Sequence, residues 1–590
     1  MRFSTRSKVS ILLSLVTIIA IVCAFMVTVF SHGPSSHAAS SSSTSSATSI
    51  LGKATMAGSG SNLFNLPKTT GSGSVVFKSD VVNRMGVNGK IPSSNGSGAP
   101  STTATALSSS AASPKWHTSN AGKLLQSFDG VSDLDNATAT GFILAPPDQG
   151  LCVGPLAVAG KTVVFEPVNI VMRVFDTHGN DLVGVPIPDS VLFDEPPFPT
   201  EFISDPRCQF DKATGDFFFT ILAFNYPAET QSHFDVTVVR QDGSFSFYKF
   251  DTTDATARGC PCFGDQPLLG IDKYNLYISG NEFPIMQPSP FFNGAEVFAI
   301  SKSQLDAGVP ANFAEFAHIS DQGILIETLQ PAITYDANAP AEYLLHSFVV
   351  DANGNNTSFD RRLGIFAITN QAAVTAGGFP TLSNPTVINS EPYAQPNTAP
   401  QPNGLNLNAD DDRMQQVEYI NGNLMGALST AILVKGDTTP RDGAAWFDIE
   451  PSLQGSLTVK AHIKHQGYIA ASGLYILYPA ILQNKNGTVE MSFSITNGTT
   501  NPSAAYAVVP DETHSSNAGA IFVAATGNGS YFDNFTCTGT VSPGCRWGDY
   551  SWITLDPNSN NFWMGSEYIP PTARQFPDAN WGTRVYEVSG

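Results

Sequence analysis

The sequence predicts an all-β fold, a seven-bladed β-propeller with six or eight blades as the alternative counts. Three observations carry that expectation. A strand–turn–strand unit recurs from Cys152 to Tyr568. Further strand-like runs follow the copies, giving four runs per copy where the pattern is fullest. The composition is low in charge, at 14%, and rich in Gly (50) and Pro (40), as suits a turn-rich β protein. With 590 residues and 42% apolar content, the chain can bury a sizeable core.

The copies begin at Cys152 (CVGPLAVAGKTVVFEPVN), Arg207 (RCQFDKATGDFFFTILAF), Gln266 (QPLLGIDKYNLYISGNEF), Gln330, Gln415, Tyr478 and Tyr550 (YSWITLDPNSNNFWMGSEY). Gly, Asn and Asp occupy the turns, where hairpins need positive φ. Third runs include MRVFDT from Met172, FDVTVVR from Phe234 and TRVYEVS from Thr583. Fourth runs include FSFYKFD from Phe245 and LTVKAHI from Leu457. The last copy ends after its third run. The segment from Leu124 to Val131 has strand character and is expected to supply the missing strand, closing the ring and removing its open edges. An array of β-sandwiches is the rival, but no linker interrupts residues 140–590.

Ahead of this region, residues 1–38 read as a signal peptide or signal anchor. Arg2, Arg6 and Lys8 precede an uncharged apolar run from Ile11 to Phe30, long enough for one membrane-spanning helix. The positive flank puts the rest of the chain outside the cytoplasm, either membrane-anchored or secreted after cleavage. Residues 39–119 read as a largely disordered stalk. From Ser35 to Ser49, eleven of fifteen residues are Ser or Thr, too polar to offset chain entropy by burial. Residues 50–90 hold a few apolar side chains and fit either docking or disorder. The folded region is expected to span 120–590.

A net charge of −20 argues against a nucleic-acid partner, which would need clustered Lys and Arg. Six cysteines follow the export segment, an even number that suits disulfides outside the cytoplasm. Cys537 and Cys545 are the pair expected from proximity. Cys260 and Cys262 are too close to bridge each other comfortably, so each is expected to find another partner. No Cys-x-x-Cys or His-x₃-His spacing supports zinc.

Several runs together carry a family resemblance. They are PPDQGLCVG from Pro146, SDPRCQFD from Ser204, GDQPLLGIDKYNLYISGNEF from Gly264, and RWGDYSWITLDPNSNNFWMGSEY from Arg546 with NWGT from Asn580. Over residues 120–590 the chain resembles a group of exported bacterial β-propeller proteins of the sialidase-like superfamily, mostly without assigned function. The resemblance implies the fold. The Asp-box turns and the Arg-Ile-Pro of true sialidases do not occur here, so it implies no sialidase chemistry.

In a propeller, the start of each innermost strand and the end of the next converge on one mouth of the central channel. Arg207, Arg413 and Arg546 sit at such starts, and their planar guanidinium groups suit an anionic group, with His346 as a further ligand contact. Glu282 and Glu567 are the candidate general acid or base, and Tyr568 the candidate nucleophile. Asp205, Asp265 and Asp549 are candidate Ca²⁺ ligands, Ca²⁺ being the cofactor such oxygens suit. Trp547, Trp552, Trp563 and Trp581 are expected to pack between sheets more readily than to line a sugar site. The expected function is an extracellular or cell-surface binding module for a carbohydrate or protein ligand. It is expected as a monomer, touching membrane only through the N-terminal segment. The alternative is a sialidase-like glycoside hydrolase acting on an anionic sugar.

Overall fold

The computed structural model describes residues 47–66, 122–255, 260–285, 292–350, 357, 359–510, 521–534, 536–537, 544–572 and 579–590. The expected export segment, and the stalk from residue 67 to 121, lie outside the described residues. Among the described residues no helix is long and apolar enough to cross a membrane.

The described chain is a β-propeller of antiparallel meanders, nearly all β. Local chemistry sets the hairpins. Strands Met414–Ile420 and Asn423–Ile432 are joined by Asn421 and Gly422, both left-handed (φ 54° and 76°). This is the turn geometry whose twist matches paired strands, and Asn-Gly adopts it at little cost. The strands themselves are rich in Phe and β-branched residues. Phe217, Phe218 and Phe219 on Phe217–Asn225 are all buried, because both faces of that strand are covered by neighbouring sheets. The largest apolar cluster draws Val153, Phe218, Leu269 and Trp552 from four different strands.

Seven separate sheets are not what the hydrogen bonding gives. Five discrete sheets of four or five strands stand beside one of eleven strands. The reason is a two-residue strand, Ile333–Thr334. It pairs parallel with Cys262–Ile271 on one side and Met414–Ile420 on the other, and so fuses two four-stranded meanders. The residues between two copies are extended here rather than looped, and their backbone groups bond to both neighbours.

Leu124–Ser132 pairs antiparallel with Gly582–Val588, completing the sheet that holds Trp552–Leu555 and Phe562–Tyr568. Within the stretch read as stalk, Thr48–Ala54 pairs with Ala311–Asp321, and Met56–Gly60 pairs with Phe245–Asp251, each adding an outermost strand. A Gly-rich strand is intrinsically weak. Here Gly52, Gly58 and Gly60 lie opposite Phe313, Phe247 and Phe245, whose rings fill the space a Cβ would need. The rings cover the bare backbone and supply the burial that the glycines lack.

Disulfides join Cys152 to Cys208, Cys537 to Cys545, and Cys260 to Cys262. The last corrects the expectation of separate partners. The chain turns at Pro261 and brings the two Cα atoms to 4.4 Å, the short limit a disulfide spans.

The closing strand is fastened by a buried carboxylate. Glu166, on Lys161–Val168, accepts the Val131 N–H at 2.8 Å, and burial pushes its pKa up to about 7. Glu166→Ala leaves that N–H unsatisfied at the seam. It should lower unfolding stability by about 2 kcal/mol, read as a lower urea midpoint. Glu166→Gln, which keeps an acceptor, should recover most of the loss.

Candidate functional site

Four innermost strands carry a register shift near their start: between Ser204 and Arg207, Asp265 and Leu268, Met414 and Val417, and Leu477 and Ala480. Three of these bulges hold a non-glycine residue in the left-handed region: Asp205 (φ 57°), Gln266 (56°) and Tyr478 (52°). Asp148 and Thr328 adopt the same conformation just ahead of two other innermost strands, and Asp410 just ahead of Met414–Ile420. Such a backbone costs about 1 kcal/mol or more per residue. A bulge re-aims the side chain it carries. Here it turns polar groups out of the strand alternation and toward one another.

The result is a network in which residues far apart in sequence meet. Arg413 donates from Nε and Nη2 to Asp411 at 2.7 and 2.6 Å, and from Nη1 to Gln266 Oε1 at 2.7 Å. Its Nη2 also lies 3.1 Å from Asp410 and 3.4 Å from Glu327. Arg546 pairs with Asp549, whose N–H donates to Asp148 Oδ1 at 3.1 Å. Arg207 is buried, with its guanidinium 3.5 Å from the centre of the Tyr550 ring. It donates to the carbonyls of Pro206 (2.8 Å) and Asp148 (3.3 Å). Tyr550 O–H in turn donates to Asp205 at 3.4 Å.

Carboxylates outnumber the guanidinium groups, and this moves their protons. Burial and the charge of Asp205 push Asp265 up to about 8, against the pull of Arg413. Burial and Asp411 push Glu327 up to about 8. Asp549 is raised to about 6 by burial, with Arg546 opposing. Burial also raises Asp148 well above the usual carboxylate range, helped by Asp549 and Asp205. The cluster therefore holds protonated carboxyls near neutral pH, as acid-rich sites with too few cations do. Arg413, Asp410, Arg546 and Asp549 keep 13–20% of their side-chain surface exposed, so solvent reaches the network.

The structure thus brings Arg207, Arg413 and Arg546 into one electrostatic neighbourhood with Asp205, Asp265 and Asp549. Glu567 borders this neighbourhood, with Asp148 and Asp549 among the charges that act on it, and the remaining candidates lie apart. Glu567 is buried and accepts the Gly548 N–H at 2.5 Å. Tyr568, the next residue on the strand, points to the opposite face and donates to Asp129 beside Arg584. Glu282 lies beside His318 and Asp254 instead. His346 is buried between Phe348 and Phe366, with Nε2 3.2 Å from Asp321 of the adjacent sheet, and so is held between two sheets. Asp205, Asp265 and Asp549 are not a close ligand set. Among the described residues, the groups of three whose ligand atoms lie within 4.8 Å of one another are elsewhere. Trp547, Trp552, Trp563 and Trp581 are all buried.

Residues not singled out from sequence include Asp148, Gln266, Glu327 and Asp410. A signal for some was present. Asp205-Pro206, Gln266-Pro267 and Tyr478-Pro479 each put Pro after the left-handed residue of a bulge. Proline lacks an N–H, which suits a position where ladder bonding lapses.

No protein-family model matches the chain, and no curated protein matches it. Among solved structures, the parainfluenza virus 5 hemagglutinin-neuraminidase ectodomain aligns at 8% identity and TM-score 0.35, over 66% of this chain and 82% of that one. An alpha-L-arabinofuranosidase of Fusarium graminearum aligns at 13% and 0.31, over 64% and 91%. Trypanosoma rangeli sialidase aligns at 11% and 0.29, over 65% and 54%. At these scores the similarities locate no site, and the fold rests on the strand pairing itself.

The raised carboxyls have a consequence for stability. A carboxyl whose folded pKa exceeds its unfolded value of about 4 keeps a proton that the unfolded chain releases. Asp265 and Glu327 should therefore make stability fall as pH rises from about 4 through about 8. Asp265→Asn should raise the thermal midpoint at pH 8 and have only a small effect at about pH 4.

Proposed function

We propose that the strand starts around Asp205, Asp265, Arg413 and Asp549 form a binding site for a neutral, hydroxyl-rich ligand such as an oligosaccharide. One observation carries this reading. Arg413 already has Asp410, Asp411 and Glu327 beside it, and Arg546 has Asp549. An incoming carboxylate would compete with those partners and would add charge to an acid-rich cluster. Sugar hydroxyls would not. They can donate to carboxylates and accept from guanidinium and protonated carboxyl groups. A ligand outside the cell, reached after export, agrees with the N-terminal apolar run and the net charge of −20. The same reading favours a binding role over hydrolysis of an anionic sugar, because Glu567 and Tyr568 point to opposite faces of their strand.

A second reading has its own support. Asp549, with a pKa of about 6, could serve as a general acid or base near neutral pH, so a hydrolase acting on neutral glycosides is the alternative. One set of assays separates the two. On a glycan array, the protein should bind neutral oligosaccharides in preference to sialylated or uronate-containing ones. Asp549→Asn should weaken that binding by roughly tenfold. Preference for acidic glycans, or no signal on any glycan, would refute the proposed site. Turnover of fluorogenic neutral glycosides, lost in Asp549→Asn, would favour the second reading.

A further inference from the structure

A second cluster lies on the other face of the strand pair that carries Asp265, where Cys262–Ile271, Asn275–Pro284, Ala295–Ser301 and Ala311–Asp321 meet residues 252–254 that follow Phe245–Asp251. His318 sits in a bulge of Ala311–Asp321, where its neighbours Phe316 and Ile319 pair with Val297 and Ala295. Its backbone is left-handed (φ 55°), and the bulge turns the imidazole toward two acids. Nε2 lies 2.9 Å from Asp254 Oδ2 and 3.0 Å from Glu282 Oε2. The one ring nitrogen therefore faces both carboxylates at once. Ligand atoms about 3 Å apart are what two bonds of about 2.1 Å at a right angle produce.

Glu296 gives an independent pointer. It is 1% exposed, and its Oε1 has no hydrogen-bond partner. The carboxylate rests over Gly264, where any Cβ would collide with it. Its nearest like charges are Glu282, Glu315, Asp254 and Asp251. A buried carboxylate aimed at other carboxylates is costly unless a cation or proton joins them. Among the described residues, no Lys or Arg forms an ion pair with Glu282, Glu296 or Glu315.

A look-alike cluster in the chain shows what a self-sufficient arrangement needs. Glu195, Glu201 and His233 also bring three ligand atoms within 4.8 Å. There Lys249 pairs with Glu195, and His233 bridges Asp235 at 2.6 Å and Glu201 at 3.4 Å. Those acids raise the pKa of His233 to about 10 despite its burial, so it stays a cation. Two cations there face three acids, and burial pushes Glu195 up to about 8, so that a retained proton makes up the difference.

We propose that Asp254, Glu282 and His318 bind a divalent cation, with Glu296 and Glu315 completing its negative surroundings. One imidazole nitrogen with carboxylate oxygens favours Mn²⁺ or Zn²⁺ over Ca²⁺, which takes oxygen ligands. Access is available through His318 and Asp254, which keep 32% and 17% of their side-chain surface. The ion would crosslink two adjacent meanders and hold their interface without entering the proposed ligand site.

The test is a titration of chelator-treated protein with Mn²⁺, followed by loss of the free-ion electron paramagnetic resonance signal, and a parallel calorimetric titration with Zn²⁺. The expected result is one ion bound per chain and a higher thermal midpoint with either metal. Glu282→Gln and His318→Gln should each weaken binding by roughly tenfold or more, while Glu201→Gln, in the balanced cluster, should not. Glu296→Gln replaces a buried carboxyl by a neutral group of the same shape and should fold at least as well as the parent while binding Mn²⁺ more weakly. Absence of stoichiometric binding in the unaltered protein would overturn the assignment. So would binding unchanged in Glu282→Gln and His318→Gln, or tighter binding of Ca²⁺ than of Mn²⁺ and Zn²⁺.

Discussion

The pairing of Leu124–Ser132 with Gly582–Val588 is the constraint on which the rest depends. It joins segments more than 450 residues apart and gives the last sheet its fourth strand. Without it, both ends of the strand series would present unpaired backbone groups to water. Closure also fixes the angle at which every sheet faces its neighbours. Small shifts at the seam would therefore spread to every strand start. Glu166 ties the seam to the next sheet by a single buried acceptor, so a polar group there serves geometry as well as charge.

That geometry concentrates acids. Six backbones outside the usual regions aim polar side chains into shared space, and the strain they store is offset by the packing around them. Three arginines do not neutralise the carboxylates they meet, and the remaining imbalance is taken up by protons. Acids also gather at Asp254, Glu282 and His318, where among the described residues no Lys or Arg pairs with Glu282, Glu296 or Glu315. In contrast, the Glu195–His233–Lys249 group has two cations of its own for three acids. Three clusters of similar composition thus differ in what completes them.

Much of the fold was legible because strand periodicity and turn chemistry are local. Asn421-Gly422 announces its hairpin, and Leu124 to Val131 reads as a strand in search of a partner. What local patterns could not convey was pairing between copies. Nothing in Ile333–Thr334 signals that two residues would fuse two meanders into one sheet. The strands at 48–60 were hidden because their glycines carry no pattern, and their stability comes from Phe245, Phe247 and Phe313 on other strands. At the site, the arginines were visible as polar groups at strand starts. Their acid partners were not, since Asp148 and Glu327 acquire their roles only through ring closure. Glu567 and Tyr568 illustrate the opposite failure. They are adjacent in sequence and each suits a catalytic role by residue type, but strand alternation sends them to opposite faces.

The closure claim is tested most directly by native-state hydrogen exchange on the amides of Leu124–Ser132 and Gly582–Val588. If one sheet closes the ring, both segments belong to the same slow-exchanging class, and their protection falls together in Glu166→Ala. Fast exchange in Leu124–Ser132 while Gly582–Val588 stays protected would contradict the account, because the ring would then be open at its seam.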